Sequence, residues 1–239
     1  EKVRELEQSE KGYSPEIWDR MAELGWAGLP FPEVYGGYER PFTDLIVLQE
    51  ELGKMVCPSP FFSTVVQCGM TLLQAGQEEQ KKELLAKIAE GSLKMALCLY
   101  EEDGCYEERS THMQAVPSGD MYILNGIKMF VLDANVSDKM IVAARTAGGI
   151  TLFLADADQT GLSINKMPTI SMDNTCEVIF KDVKVPRHNI IGSEGEGLTV
   201  LRRVNAMGAV AKSAEMIGGC KVCIDMTAGY AKERVQYGN

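Results

Sequence analysis

Histidine is scarce. Only His112 and His188 occur in 239 residues, and neither has a partner at metal-ligand or catalytic spacing. A metal centre or a Ser–His triad therefore has little to stand on. No run of about 18 apolar residues is present to span a bilayer as a helix, and the polar opening "EKVRELEQSEKGY" does not read as a secretion signal. Basic residues are outnumbered, 24 against 34 acidic, which leaves a net charge of −10. Such a surface repels phosphate backbones, so nucleic-acid binding is not expected. Seven cysteines, at 57, 68, 98, 105, 176, 220 and 223, follow no pairing pattern. They predict reduced thiols in a cytoplasmic protein. Cys220-Lys-Val-Cys223 has redox or zinc spacing, but it lies in a helical pattern without a second pair, and small helix-packing residues explain it better. The chain opens on Glu1 instead of Met and stops at "AKERVQYGN", so both ends read as cut from something longer.

What is present is 45% hydrophobic, enough for a core and two compact units. The first ninety or so residues read as helices. In "SPEIWDRMAELGW", Ser14 is an N-cap, Pro15 sits at the first helical position, and Ile17, Trp18, Met21 and Leu24 share one face. Gly25 ends that helix, and "LPFPEVYGGYERPF" is a breaker-rich loop. "TDLIVLQEELGKMV" restarts a helix with Thr43 or Asp44 as cap and Gly53 weakening its end; "PSPFFSTVVQCGMTLLQAG" and "QEEQKKELLAKIAEG" give two more. From about Leu93 the period changes to that of strands, with turn dipeptides at Ser118-Gly119, Asn125-Gly126 and Gly148-Gly149. Hairpins without intervening helices predict an antiparallel barrel or sandwich. "VPRHNIIGSEGEG" connects to a very long helix rich in Ala, Gly and Met. The fold class is thus α+β: an N-terminal helical domain (1–92), a middle β domain (93–192), then at least one long helix (193–239).

Several stretches carry a family likeness. "WDRMAELGWAGLPFPEVYGG" (18–37), "YILNGIKMFV", "VIFKDVKVPRHNIIG" and "GYAKERVQYG" (229–238) resemble, in order, the signatures of the acyl-CoA dehydrogenases. The resemblance implies an N-terminal helical bundle, a middle antiparallel β-barrel or sandwich domain, and the start of a truncated C-terminal four-helix bundle, of which 193–239 is the first long helix. It puts FAD between the β domain and that bundle, with help from a neighbouring subunit. It implies an acyl-CoA substrate that loses hydrogens from Cα and Cβ, a glutamate base, and reoxidation by electron-transferring flavoprotein. The bound group carries the redox step, while the protein supplies orientation and electrostatics.

Matched residue by residue, the flavin-facing motif "x-T-E-P-x-A-G-S-D" corresponds to Leu99-Tyr100-Glu101-Glu102-Asp103-Gly104. Glu101 is kept, Tyr100 replaces the threonine, and no Gly-Ser-Asp follows. Backbone groups of Leu99 and Tyr100 remain able to bond the flavin. The acids Glu102, Asp103, Glu107 and Glu108 disfavour a pyrophosphate unless Arg109 or a neighbour offsets them. The second motif, "K-x-W-I-T", reads Lys128-Met129-Phe130-Val131-Leu132. Phe130 can stack beside the ring, but Leu132 cannot donate the hydrogen bond of the threonine it replaces. Gly208 and Ala209 stand where some members carry a substrate arginine and a base, so no catalytic residue is assigned within this chain. Arg234 matches the arginine that reaches the FAD of an adjacent subunit, and a helix-surface charge explains it equally well. Three functions follow: an FAD-dependent acyl-CoA dehydrogenase with weak or partial flavin occupancy and its base beyond Asn239; a non-catalytic or flavin-deficient subunit of a heteromer with a homologous dehydrogenase; and, more weakly, an acyl-CoA-binding or assembly protein without redox chemistry. "CPSPFFSTVV" (57–66) and "AVAKSAEMIGG" (209–219) resemble the heteromeric branches.

Overall fold

Ser14 caps its helix as its sequence requires: the hydroxyl accepts the N–H of Ile17 at 3.3 Å. In the computed structural model, which describes residues 2–104 and 110–237, this helix is α2 (Pro15–Glu23) and follows α1 (Lys2–Gln8). Trp18 is buried under the first domain, its indole donating to the Gly91 carbonyl at 2.7 Å. Next comes α3 (Phe42–Met55), which starts before Thr43 and Asp44, with Pro41 as N-cap and no side-chain cap bond. A proline with fixed φ feeds the helix directly, so no capping hydroxyl is needed.

Two helical stretches widen into π-turns. Phe62–Gly69 is π-helical and continues into α4 (Met70–Ala75). Lys81–Leu85 is likewise π-helical between α5 (Glu78–Gln80) and α6 (Ala86–Ala89). Periodicity near 3.6 does not register such a widening, which concentrates at functional sites.

The strands are β1 (Met95–Cys98), β2 (Gln114–Ser118), β3 (Met121–Leu132), β4 (Lys139–Thr146), β5 (Gly149–Asp156), β6 (Leu162–Lys166), β7 (Thr175–Pro186) and β8 (Ile190–Ile191). They form one sheet in the order β6-β7-β3-β2-β4-β5-β8, with β1 added against β4. The expected all-antiparallel pattern is corrected in two places. Here β1 runs parallel to β4, and β2 touches β4 in parallel at Gln114 and Arg145. The chain enters the sheet from the helical domain, so its first strand has no hairpin partner to reverse its direction. Asn125-Gly126 is also a bulge inside β3, where the register against β7 shifts, and makes no turn.

Alternation along β1, β4 and β5 builds two cores. Leu97, Ile141, Ala143, Leu152 and Leu154 pack with the N-terminal helices. Ala96, Cys98, Val142, Ala144 and Phe153 face the opposite way, into a core shared with Tyr122, Val178 and Phe180. The β layer is therefore wedged against the helices on one side and folded on itself on the other.

The last element, α7 (Gly197–Glu233), has 37 residues, about 55 Å at 1.5 Å per residue. It crosses α3 at backbone distance. A Cβ on Gly53 would land on the carbonyl oxygen of Glu215, and one on Gly218 on that of Glu50. Gly53 thus lies buried inside α3 as a crossing point, and Val56 in the left-handed region ends the helix instead. Beyond Gly218 no described residue of α7 is buried, and Ile224, Met226 and Tyr230 are exposed. Gly53→Ala or Gly218→Ala should cost about 1–3 kcal/mol by overpacking, whereas Gly229→Ala, with nothing near it, should be neutral or stabilising. Urea unfolding of the three variants checks this; equal midpoints would contradict the crossing.

Candidate functional site

The pairing of β1 with β4 stops at Cys98, so Leu99 and Tyr100 leave the ladder. There they meet the bulged part of β3. The N–H of Met129 donates to the Tyr100 carbonyl at 2.9 Å. The Lys128 ammonium donates to the Leu99 carbonyl at 3.1 Å and to Glu101 Oε1 at 2.7 Å. Lys128 is fully buried. Burial pushes its pKa below the usual lysine value, with Glu101 pulling the other way. The Glu101 carboxylate also accepts the backbone N–H groups of His112 and Met113, at 3.0–3.2 Å. One ion pair therefore ties the end of β1, the middle of β3 and the chain just before β2 into one edge.

The register of β3 on β7 shifts between Lys128 and Val131, and Phe130 in this bulge has φ +56°, a left-handed conformation for an aromatic. Its ring is 42% exposed. Tyr100 is half-buried and packs onto the core shared with the helices. Leu132 lines a cavity, described below. Arg234 lies apart from these four at the exposed C-terminal end of α7, its guanidinium 5.1 Å from the Tyr230 ring centroid. The structure thus gathers Leu99, Tyr100, Phe130 and Leu132 on neighbouring segments and leaves Arg234 at the far end of the long helix. Gly208 is buried 3.5 Å, measured from an added Cβ, from the Phe62 ring, while Ala209 faces outward. Of the acids, Glu102 and Asp103 are exposed, Asp103 lying 3.4 Å from His112 Nε2. Glu107, Glu108 and Arg109 lie outside the described residues. Gly195 and Gly197 press the entry of α7 onto the hairpin of β4 and β5, which accounts for both glycines by packing.

Leu132 and the neighbouring Asp133 open onto a cavity of about 170 Å³ between α3, the π-helical segment, α7 and the loop at 171–174. Asp133 accepts from Ser63 Oγ at 2.6 Å and from Asn174 Nδ2 at 3.1 Å. Surrounding protein strips its carboxylate of water and raises its pKa to about 6, against the pull of those two donors and of Lys212. Lys212 bonds Glu215 at 2.8 Å and sits 4.5 Å over the Phe62 ring. Among the described residues no cluster of His, Cys, Asp and Glu could hold a metal, and the six cysteines are all free. Burial pushes the Cys98 thiol, beside this edge, up to about 12. Cys98 is no thiolate nucleophile at neutral pH.

Sequence comparison decides the lineage. The family models for the acyl-CoA dehydrogenase N-terminal domain and middle domain match residues 1–92 and 96–183. The chain belongs to the acyl-CoA dehydrogenase family. It is 30% identical, over 98% of its length, to a short-chain-specific acyl-CoA dehydrogenase of Clostridium acetobutylicum, covering 64% of that protein. It is 31% identical over 97% of its length to subunit CarC of the caffeyl-CoA reductase–Etf complex of Acetobacterium woodii, again covering 64%. The fold superposes on butyryl-CoA dehydrogenase from Megasphaera elsdenii with a TM-score of 0.88, at 29% identity, covering all of this chain and 67% of that one. The chain thus spans a little under two thirds of the curated relatives it matches.

Within this acyl-CoA dehydrogenase frame, motif reading kept Glu101 and Lys128 but missed that they pair. The available signal was a lysine on the inward side of a strand, which needs a buried anion. The weight of Asp133 was also missed, because its partners come from residues 63 and 174, far away in sequence. A carboxylate with a raised folded pKa contributes most to stability below the ordinary carboxylate pKa, and that contribution is lost as pH rises through about 6. Asp133→Asn keeps a residue tolerant of the φ of +58° and removes the titration. Its stability relative to the native chain should improve by roughly 2 kcal/mol between about pH 4 and about pH 7. Urea unfolding at both pH values checks this, and a pH-independent difference would contradict it.

Proposed function

We propose that the whole protein is an FAD-dependent oxidoreductase of the acyl-CoA dehydrogenase type, removing the α- and β-hydrogens of an acyl-CoA thioester. One observation carries this. The Met129 N–H to Tyr100 carbonyl bond joins the two segments that match the family's flavin motifs, although the bonded residues are 29 positions apart in sequence.

The residues fit a flavin in outline. Leu99 and Tyr100 offer main chain at a strand end, and Phe130 offers an exposed ring held out by its left-handed backbone. When bound, FAD supplies the acceptor for the substrate hydride. Lys128, fully buried, and Glu101 fix the edge through their ion pair and the Lys128 bond to the Leu99 carbonyl. Leu132 is apolar and donates no hydrogen bond. Gly208 and Ala209 supply neither base nor cation, so the base that takes the α-proton belongs to the part of the protein the relatives have beyond this chain. Arg234, at the far end of α7, is free to reach the flavin of an adjacent subunit in a homo-oligomer or heteromer. The exposed Ile224, Met226 and Tyr230 suit such packing. Electron-transferring flavoprotein is the proposed electron acceptor, a role supported by the relative whose name places it in an Etf complex. The free cysteines suit a cytoplasmic setting.

A second reading is favoured by Tyr100 and Leu132 together: both threonine hydroxyls expected at the flavin are replaced, one by a bulkier phenol and one by an apolar side chain, as in a flavin-deficient subunit paired with an active homologue. The two readings separate at Leu132. Restoring the hydroxyl with Leu132→Thr should raise the fraction of protein isolated with FAD, by up to about tenfold in affinity for one recovered hydrogen bond. The ratio of flavin absorbance to protein measures it. Equal, negligible flavin in both proteins would favour the companion-subunit reading.

A further inference from the structure

The bond from Lys128 to the Leu99 carbonyl does more than fix the edge. The ammonium is fully buried and has two partners, Glu101 Oε1 at 2.7 Å and that carbonyl at 3.1 Å. The carboxylate answers the charge. The carbonyl sets the charge against one particular peptide group, the one joining Leu99 to Tyr100. No cis peptide bond occurs among the described residues, so the N–H of that group, carried by Tyr100, points opposite to its carbonyl and away from Lys128.

A carbonyl that accepts a hydrogen bond polarises its whole amide, and bonds in series strengthen one another by roughly 10–30%. A cation does this more strongly than a neutral donor, because charge-assisted bonds are roughly twice as strong. The next peptide group lacks the charge: the Tyr100 carbonyl accepts from the neutral N–H of Met129 at 2.9 Å. Glu101 does not cancel the ammonium, since its carboxylate is shared with the N–H groups of His112 and Met113 at 3.0–3.2 Å. Asp103, which also acts on Lys128, is exposed and lies 3.4 Å from His112 Nε2. The Cys98 thiol behind the edge, pushed up to about 12, is uncharged at neutral pH. The positive end of the cluster is therefore the one bonded to the Leu99–Tyr100 peptide.

A donor strengthened in this way discriminates between the two states of a flavin. Reduction adds electron density to the ring, so a stronger donor holds the reduced form more tightly than the oxidised one. Resting on the acyl-CoA dehydrogenase reading above, we propose that Lys128 is a positioning residue that tunes the flavin: its buried charge, relayed through the Leu99–Tyr100 peptide, raises the reduction potential of FAD bound at this edge. A raised potential is what a saturated thioester, a poor hydride donor, requires of its acceptor.

The test compares the full-length native protein with Lys128→Met, which removes donor and charge, and with Lys128→Gln, which keeps an N–H donor and removes the charge. Affinities for oxidised and for chemically reduced FAD are measured by anaerobic titration, and the potential against a reference dye. In both variants reduced FAD should lose about tenfold more affinity than oxidised FAD, as the loss of one buried charge allows. That ratio lowers the two-electron potential by about 30 mV. A role in folding alone would weaken both forms equally and leave the potential where it was. Equal weakening, up to loss of both forms beyond detection, would overturn the proposal and leave the dehydrogenase reading standing. So would a native potential in Lys128→Gln, since a donor without charge would then suffice. Native protein that binds FAD in neither state would overturn both.

Discussion

The buried ammonium of Lys128 is the constraint around which the site is arranged. A lysine with no exposed surface is tolerated only where its charge is matched. The match here is one carboxylate, Glu101, and one carbonyl, Leu99. Because Glu101 also gathers the N–H groups of His112 and Met113, the pair locks three stretches of chain that meet nowhere in sequence. The bulge that carries Phe130 outward directly follows Lys128. Moving the lysine would move the bulge, and with it the edge at which a planar ring could lie.

The cavity depends on a second close fit. Helices α3 and α7 touch at backbone distance through Gly53 and Gly218, which sets the position of Gln49 one turn earlier on α3 and of Lys212 on α7. The π-helical stretch beneath them presents Ser63 to Asp133 and Thr64 to both the N–H and the carbonyl of Met95. Helical domain and sheet are thereby joined by polar contacts at the point where the cavity opens, while the alternating faces of β1, β4 and β5 supply the apolar seal.

Much of this was legible from residues alone. Ser14 and Pro15 announce α2, the change of period near Leu93 announces the sheet, and the stripe of small residues announces the close packing of α7. Local rules failed where tertiary contacts decide. Asn125-Gly126 looks like a hairpin turn and is a bulge, because β7 pairs on both sides of it. Gly53 looks like a helix terminator and is a crossing point, because Glu215 passes over it. The proposed flavin-edge positions come from family motifs, whereas the clasp of Lys128 and the burial of Asp133 between Ser63 and Asn174 are set by packing between distant segments, which one sequence does not display.

The function proposed for this edge is that of a working acyl-CoA dehydrogenase. Its most direct test is an anaerobic titration of the FAD-reconstituted full-length protein with an acyl-CoA thioester, followed by visible absorbance. The account predicts loss of the oxidised-flavin band in proportion to thioester added, with the α,β-unsaturated thioester as product. A band that persists under excess thioester, with FAD demonstrably bound, would contradict it.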